Sequence, residues 1–426
     1  LSAEARGGTL IFNRPIRSIA LGLAALVGPG AWGTIVAGGD GTQNTAAPPN
    51  FAYWNNIGYV PAGSSLWGTG VYLGNDWVLT AGHVQGGNDG GYTFVIPGLN
   101  NGQNAVFNPQ FASQVFLRHP SGAGSDLALF KLQDDPLLHN LPQVQFGATP
   151  AVGTDITVTG AGYNRDATLH YWKLADPAHP ETTTWTDVTG TPTQGQAQRQ
   201  GYFYDASGFA RRWGTNTTVA MTGGKPTFTF TLKDASGNVS SVTELAGATF
   251  DLGLANESQV APGDSGGGVW VGNRLVGLNL YKGDFANAKN AALGQPANTA
   301  VFGNQSFFAD LPTYVDQIAS ITHMAPSLIG DANLDGVVDT ADFKILSANY
   351  ESGTKWTQGD FNLDGTVDFA DFQQLELNFG KVSVFPLVSD TGASAPVIGS
   401  VPEPGMVGML GLAIAAGLVW RRRRIL

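Results

Sequence analysis

Three short strings in this 426-residue chain supply a base, an acid and a nucleophile in the combination that acyl transfer needs. Leu79-Thr80-Ala81-Gly82-His83 ends one apolar run, Ser125-Asp126-Leu127-Ala128-Leu129 opens another, and Gly263-Asp264-Ser265-Gly266-Gly267 sets a serine among glycines. A serine hydroxyl is a poor nucleophile until a base takes its proton, and imidazole is the side chain best tuned for that near neutral pH. The imidazole needs a carboxylate to fix its tautomer and to stabilise its protonated form. Glycines beside the nucleophile let the backbone turn sharply and expose its N–H groups. Those of Gly263 and Ser265 are the candidates to bind an oxyanion, commonly the largest single electrostatic contribution. Each string alone could be an ordinary turn or strand end. Together they make His83 the expected base, Asp126 the residue that orients it and Ser265 the nucleophile.

The order His, Asp, Ser and the local strings resemble those of the chymotrypsin/trypsin family of serine proteases. His83 and Asp126 are 43 residues apart, similar to the family, while the 139 residues from Asp126 to Ser265 are more than usual and imply an insertion, near residues 163–246. The insertion is rich in Thr, Gly, Trp and Tyr; extended strands beside the active site or a lid are both open readings. Trp77-Val78-Leu79, His119-Pro120-Ser121 and Val158-Thr159-Gly160-Ala161-Gly162 are similar to further family segments, and 312–321 looks like the closing helix. The resemblance implies a mostly β fold, a chymotrypsin-like double β-barrel with a closing helix, and serine endopeptidase activity on a protein or peptide substrate. The alternative is a catalytically silent surface adhesion or binding protein on the same fold.

The same resemblance extends to specificity and maturation. The pocket floor falls six residues before the nucleophile, at Gln259, and the wall fifteen to seventeen residues after it, at Leu280, Tyr281 and Lys282. An uncharged floor leaves a basic substrate side chain without a counter-ion, and Lys282 would narrow the entrance and add positive charge. The expected cleavage is after small or medium neutral residues, at the margin acidic ones, unless the insertion supplies an acid such as Glu257. Ile35-Val36-Ala37-Gly38-Gly39 is similar to the segment whose freed amine pairs with the acid before the nucleophile, which makes Ile35 and Asp264 the expected activation partners. Cleavage after Gly33 would instead leave Thr34 in front. Gly268 stands where the family has proline.

Residues 330–380 carry a duplication. Asp331, Asn333, Asp335, Asp339 and Asp342 recur as Asp360, Asn362, Asp364, Asp368 and Asp371, with Gly336 and Gly365 at the sixth position of each loop. Oxygen ligands at positions 1, 3, 5, 9 and 12, a backbone carbonyl at position 7 (Val337, Thr366) and glycine at 6 suit seven-coordinate Ca²⁺. Phe343, Leu346 and Tyr350 match Phe372, Leu375 and Phe379, one apolar helical face per repeat. The segment resembles a type I dockerin, a small α-helical EF-hand-like pair. The resemblance implies two structural Ca²⁺ ions and a cohesin-like partner, with a calcium-stabilised spacer as the other reading.

Composition frames these readings. Hydrophobic residues make up 42%, charged residues 13%, and there are 58 glycines, which suits short strands and tight turns. The net charge of −11, concentrated in 330–380, disfavours nucleic acid. With no cysteine there is no disulfide and no thiolate chemistry. The remaining histidines, His119, His139, His170, His179 and His323, read as surface or loop residues. Arg14 and Arg17 before the apolar run 19–27, then Ala31-Trp32-Gly33, give the layout of a secretory signal peptide. The expected organisation is a signal peptide over 1–34, a protease domain over 35–322, the dockerin-like repeats over 330–380, a linker over 381–401 and a sorting tail over 402–426. In that tail Val401-Pro402-Glu403-Pro404 precedes an apolar run, 405–420, and four arginines. The tail resembles a PEP-CTERM sorting signal, which implies membrane contact and removal by an exosortase-type enzyme; a permanent transmembrane anchor is the alternative. Export to the outer membrane or cell surface, or secretion after processing, follows.

Overall fold

Valine, leucine and aromatic residues in short alternating runs, cut by Gly and Asn turns, form strands because branched and ring side chains fit a half-buried pleat. The computed structural model describes residues 34–385 except 63–64, 85–92, 206–209, 235, 288–289 and 291, with backbone alone for 62, 65–67 and three strands before Thr34, Ala3–Arg6, Thr9–Ile11 and Leu21–Gly22. Most of the proposed signal peptide and the whole sorting tail lie outside the described residues. The described residues belong to one unit, Leu1–Leu387.

The first sheet has seven antiparallel strands, in the order Val115–Arg118, Gly124–Lys131, Trp77–Ala81, Ser65–Gly74, Ile57–Ala62, Phe94–Asn100 and Gln103–Phe107. The second runs Arg212–Thr217, Asp155–Gly160, Gly268–Val271, Arg274–Gly283, Gln305–Asp310, Val239–Thr249, Phe228–Lys233, then the three N-terminal strands. The two meet where Gly124–Lys131 packs on Val239–Thr249. Leu79, Leu127 and Leu129 of one and Phe230, Leu245, Leu278 and Phe307 of the other share one buried core. His83 and Asp126 come from the first sheet and Ser265 from the second, so the seam between them is where the chemistry must lie.

The insertion builds a third, smaller sheet. Asn164–Arg165, Arg199–Asp205, His170–Leu174 and Trp185–Asp187 pair in that order, and Thr299–Val301 joins Arg199–Asp205. Trp172, Leu174 and Val301 form its own small core. The surplus also supplies the edge strand Arg212–Thr217 of the second sheet and the hairpin of Phe228–Lys233 and Val239–Thr249, which reaches back to the active-site seam. Among the described residues, strands make up most of the extra length.

A turn of 3₁₀ helix, Leu311–Tyr314, with Pro312 in its first turn, runs into the closing helix Val315–Thr322. Tyr314, Val315 and Ile318 are buried, the face that their spacing predicts. In the acidic segment, helices Thr340–Asn349 and Phe369–Asn378 each begin at a capping box, Asp339 with Asp342 and Asp368 with Asp371. Leu346 and Leu375 are buried, and Phe343 meets Phe372 edge-on at 6.1 Å. Tyr350 departs from the expected face: it is the C-cap of its helix, and its ring is exposed.

Candidate active site

Strand Trp77–Ala81 delivers His83 on a short turn, Gly82–Val84, tucked against Asp126. A side chain at Gly82 would press on the Asp126 carboxylate and backbone, so glycine permits the approach. The His83 backbone N–H donates to Asp126 Oδ1 at 2.8 Å, and Nδ1 lies 2.7 Å from Oδ2. That contact holds the proton on Nδ1 and leaves Nε2 free to act as a base. Burial pulls the imidazole pKa down, but the Asp126 charge and hydrogen bond outweigh it and carry the pKa above its ordinary value.

Tyr281, expected in the pocket wall, and Thr243, which the sequence did not nominate, fix the acid from behind. The Tyr281 hydroxyl donates to Asp126 Oδ2 at 2.5 Å, and its ring stacks on the His83 ring at 6.0 Å. Burial pushes the phenol well above its ordinary pKa, so it stays a donor. The Asp126 N–H donates to Thr243 Oγ1 at 3.0 Å, and Thr243 belongs to the insertion hairpin. Tyr281→Phe should lower kcat about 10–100-fold with KM little changed, since a hydrogen bond to a charged group is worth about 1.5–3 kcal/mol. Removing the donor concentrates charge on Asp126, favours the imidazolium and moves the acid limb of kcat/KM to higher pH. Wild-type kcat with an unmoved limb would exclude this role.

Ser265 sits in the turn that precedes strand Gly268–Val271. Gly263 and Gly266 have φ of 90° and 88°, the left-handed region that favours glycine. A Cβ at Gly266 would also strike the Thr69 carbonyl and Thr80 Oγ1. Thr69 ties the turn to the first sheet: its Oγ1 donates to Gly263 O at 2.8 Å and its N–H to Ser265 O at 2.8 Å. Thr80 Oγ1, three residues before His83, donates in turn to Thr69 O at 2.7 Å. Among the described residues, the N–H groups of Gly263 and Ser265 donate to nothing, and Ser265 Oγ makes no hydrogen bond to His83. Apo sites often close that contact only when substrate arrives. The Trp270 ring packs against Gly268, filling the space a larger residue would need.

The pocket residues separate. Gln259 is fully buried with both amide atoms unpartnered, in a two-stranded pairing of Ser258–Gln259 with Ile35–Val36. Leu280 is a core residue. A register shift between Asn279 and Tyr281, paired to Phe308 and Phe307, adds a residue to the strand, so counting without a gap places the wall wrongly. Tyr281 therefore faces the acid rather than a pocket. Lys282 Nζ bonds Asp284 at 2.9 Å and lies 5.4 Å from the Tyr204 ring centre. Burial opposes its charge, but Tyr204 and Asp284 raise its pKa. Its charge is thus answered internally instead of being added to the entrance. Glu257 is buried, its carboxylate accepting from the Asp251 N–H and its pKa pushed up to about 7 by burial. His170, expected on the surface, lies within a strand between Asp166 at 2.7 Å and Asp187 at 3.2 Å.

Asp264 is fully buried. Its Oδ2 accepts from the Ala261 N–H at 2.9 Å, while Oδ1 faces Thr34 Oγ1 without closing a hydrogen bond. Burial raises its pKa well above the carboxylate range. Thr34 thus places its hydroxyl beside Asp264, while the Ile35 side chain is buried among Tyr202, Phe250, Ala261 and Ala300. Arg165 of the insertion holds this segment by donating from Nε to Val36 O at 2.7 Å and from Nη2 to the carbonyls of Gly38 and Gly39, with its guanidinium 3.8 Å from the Tyr202 ring centre.

In the acidic repeats, Gly336 and Gly365 donate to Asp331 Oδ2 and Asp360 Oδ2 at 2.9 and 3.0 Å, closing the same turn twice. Asp331 Oδ1 is buried without a partner, and burial pushes its pKa up to about 6. An orphaned buried carboxylate oxygen in a loop of carboxylates and amides fits a hard, oxygen-seeking cation. Asp339 and Asp368 cap their helices by accepting from Ala341 N and Ala370 N, and Asp342 and Asp371 accept from Asp339 N and Asp368 N. Among the described residues no three His, Asp or Glu side chains converge as a metal cluster.

Comparison with known proteins agrees with this geometry in part. The family model described as Trypsin matches residues 40–206, which include His83 and Asp126 but stop short of Ser265. The PEP-CTERM protein-sorting motif matches residues 400–424. No curated protein matches the chain. Among solved structures, a mutant of human heparin binding protein is 15% identical over 66% of this chain and 95% of its own, with a TM-score of 0.39. Mouse neuropsin, a serine protease expressed in the limbic system of the brain, is 17% identical over 65% and 97%, with a TM-score of 0.35. An inactive serine-to-alanine mutant from Mycobacterium tuberculosis is 16% identical over 65% and 96%, with a TM-score of 0.34. Residues 40–206 thus match the Trypsin family model, within a mostly β fold that has few helices. It also carries a PEP-CTERM motif, which indicates export and sorting to the cell surface. Among the described residues no helix is long and apolar enough to cross a membrane.

Proposed function

We propose that this chain is an exported serine endopeptidase acting through an acyl-enzyme. The observation that carries it is the seam itself: His83 locked on Asp126 at 2.7 Å, beside a serine turn with two unspent N–H groups. His83 Nε2 takes the Ser265 proton as Oγ adds to the scissile carbonyl, and the N–H groups of Gly263 and Ser265 receive the oxyanion. The imidazolium then protonates the leaving amine, and water repeats the cycle on the ester. Thr34 is the proposed mature N-terminus, its amine completing the shell of Asp264. Gln259 as an uncharged floor, with Lys282 neutralised by Asp284, favours neutral residues before the cleaved bond and disfavours Arg and Lys.

The calcium reading is part of the same proposal. Asp331, Asn333, Asp335, Val337, Asp339 and Asp342 would hold one Ca²⁺, and Asp360, Asn362, Asp364, Thr366, Asp368 and Asp371 a second. The ion would supply structure and no step of catalysis. Exosortase-type processing of the tail follows from the sorting motif. A cohesin-like partner finds less support, because one face of the module is occupied by the chain's own second sheet.

One experiment with two arms tests the activity. A fluorophosphonate should label the processed chain once, at Ser265, and not label Ser265→Ala; a peptide library should then be cut after neutral residues. No labelling would favour the silent binding protein. Dominant cutting after Arg or Lys would remove Gln259 as the floor.

A further inference from the structure

The two calcium loops are near-identical in sequence but not in surroundings. Asp331 and Asp360 are both buried, as are Val338 and Val367. At the loop tips they part: Leu334 and Gly336 are buried and Val337 half-buried, whereas Leu363 is half-buried and Gly365 and Thr366 are exposed. The sixth-position glycines show the difference most plainly. Gly336 and Gly365 have φ of 83° and 89°. A side chain at Gly365 would meet open space, whereas one at Gly336 would collide with the guanidinium of Arg274.

Arg274 begins the strand Arg274–Gly283, whose far end carries Tyr281 on the triad acid. Its Nη1 donates to the Leu334 carbonyl at 3.3 Å, and the Ala148 N–H donates to the same oxygen at 3.1 Å. The Phe385 ring lies 6.0 Å from the guanidinium on one side and 6.2 Å from Tyr53 on another. Further contacts extend the seam. Phe146 N donates to Pro326 O at 2.7 Å, and Thr357 donates from N and Oγ1 to the Asp316 carboxylate of the closing helix at 3.0 and 2.7 Å. Trp356, fully buried, donates to the Asp331 carbonyl at 2.8 Å. The apolar residues on both sides belong to one continuous core.

We infer that the first calcium loop is a fastener of the catalytic unit, so that cation binding there stiffens the strand Arg274–Gly283 through Arg274, while the second loop serves the module alone. The inference rests on the calcium reading. Its physical basis is that a loop of carboxylates holds one shape only when its charge is answered, and binding to the folded form alone stabilises whatever that form is packed on. The orphaned Asp331 Oδ1, buried at the interface end of the loop, is the atom with most to gain.

The full chain carrying Ser265→Ala, which prevents self-cleavage, tests this by calorimetric titration with CaCl₂ and by hydrogen exchange over residues 274–283, with and without chelator. Calcium at about a thousand times its Kd should raise the unfolding midpoint by at least about 5 °C and slow exchange in that strand. Asp331→Asn should abolish both effects, and Asp360→Asn should retain most of the slowed exchange. Arg274→Ala should still bind two ions yet lose at least half of the added protection, and it keeps the test sharp if Asp331→Asn does not fold. Two bound ions with unchanged exchange in 274–283 would overturn the fastener and leave the calcium reading standing. No binding heat would overturn the calcium reading, and the fastener with it.

Discussion

Ser265→Ala should lower kcat by about four to six orders of magnitude without changing the fold, and His83→Ala should cost about as much. The double variant should be no worse than either single one, because base and nucleophile act as a unit and neither helps without the other. Asp126→Asn should cost roughly 10⁴-fold, since an amide can turn its N–H towards His83 and strand the imidazole in the wrong tautomer. The residual rate belongs to the N–H groups of Gly263 and Ser265, which these substitutions leave in place. Peptidase kinetics on purified variants, with circular dichroism to confirm the fold, decide the matter. Full activity in Ser265→Ala would dismiss the assignment outright.

Removal of residues 1–33 should raise activity strongly, and Asp264→Asn should cancel the gain. In the unprocessed chain the Thr34 nitrogen is an amide and Asp264 Oδ1 has no donor. A freed amine at Thr34 would give the buried Asp264 carboxylate, which already feels the Arg212 charge, a close ion-pair partner; breaking such a pair typically costs about 3–5 kcal/mol. Because Asp264 directly precedes Ser265, that energy falls on the turn that shapes the oxyanion site. Pairing should also bring the Asp264 pKa down from its raised value. The gain should therefore be present above the unfolded carboxylate pKa and fade as pH falls through the lowered one. Chains starting at Thr34, at Ile35 and with one added residue before Thr34 should rank in activity with the first well ahead, by about a hundredfold. Equal rates for all three would dispose of the amine.

How far the sequence alone reached depended on the kind of feature. Strands such as Trp77–Ala81 and Gly268–Val271 were readable because apolar alternation is written locally. His83, Asp126 and Ser265 were readable because their neighbours repeat a known arrangement, and the structure brings the first two into contact and places Ser265 on the shared seam. Tyr281 and Thr243 were not. Thr243 lies 117 residues from the acid it holds, a separation that no local pattern spans. Tyr281 was misplaced by a bulge, which leaves no compositional trace. The capping boxes were hidden differently: Asp339 and Asp342 fit both a ligand pattern and a helix start, and spacing cannot rank two uses of one carboxylate.

That bulge has an evolutionary side. Along a strand, side chains obey a two-position reading frame, and the extra residue at Leu280 sets the frame for all that follow. Point changes between Leu278 and Gly283 alter one contact each, whereas a single-codon insertion or deletion exchanges the faces of Tyr281 and Lys282 together, turning an ammonium towards Asp126 and a phenol towards Asp284. A change in the identity of one of these residues therefore costs only that residue's own contact, whereas a change in their number disturbs several contacts at once, and loop-length variation should accumulate beyond Gly283 instead of before it.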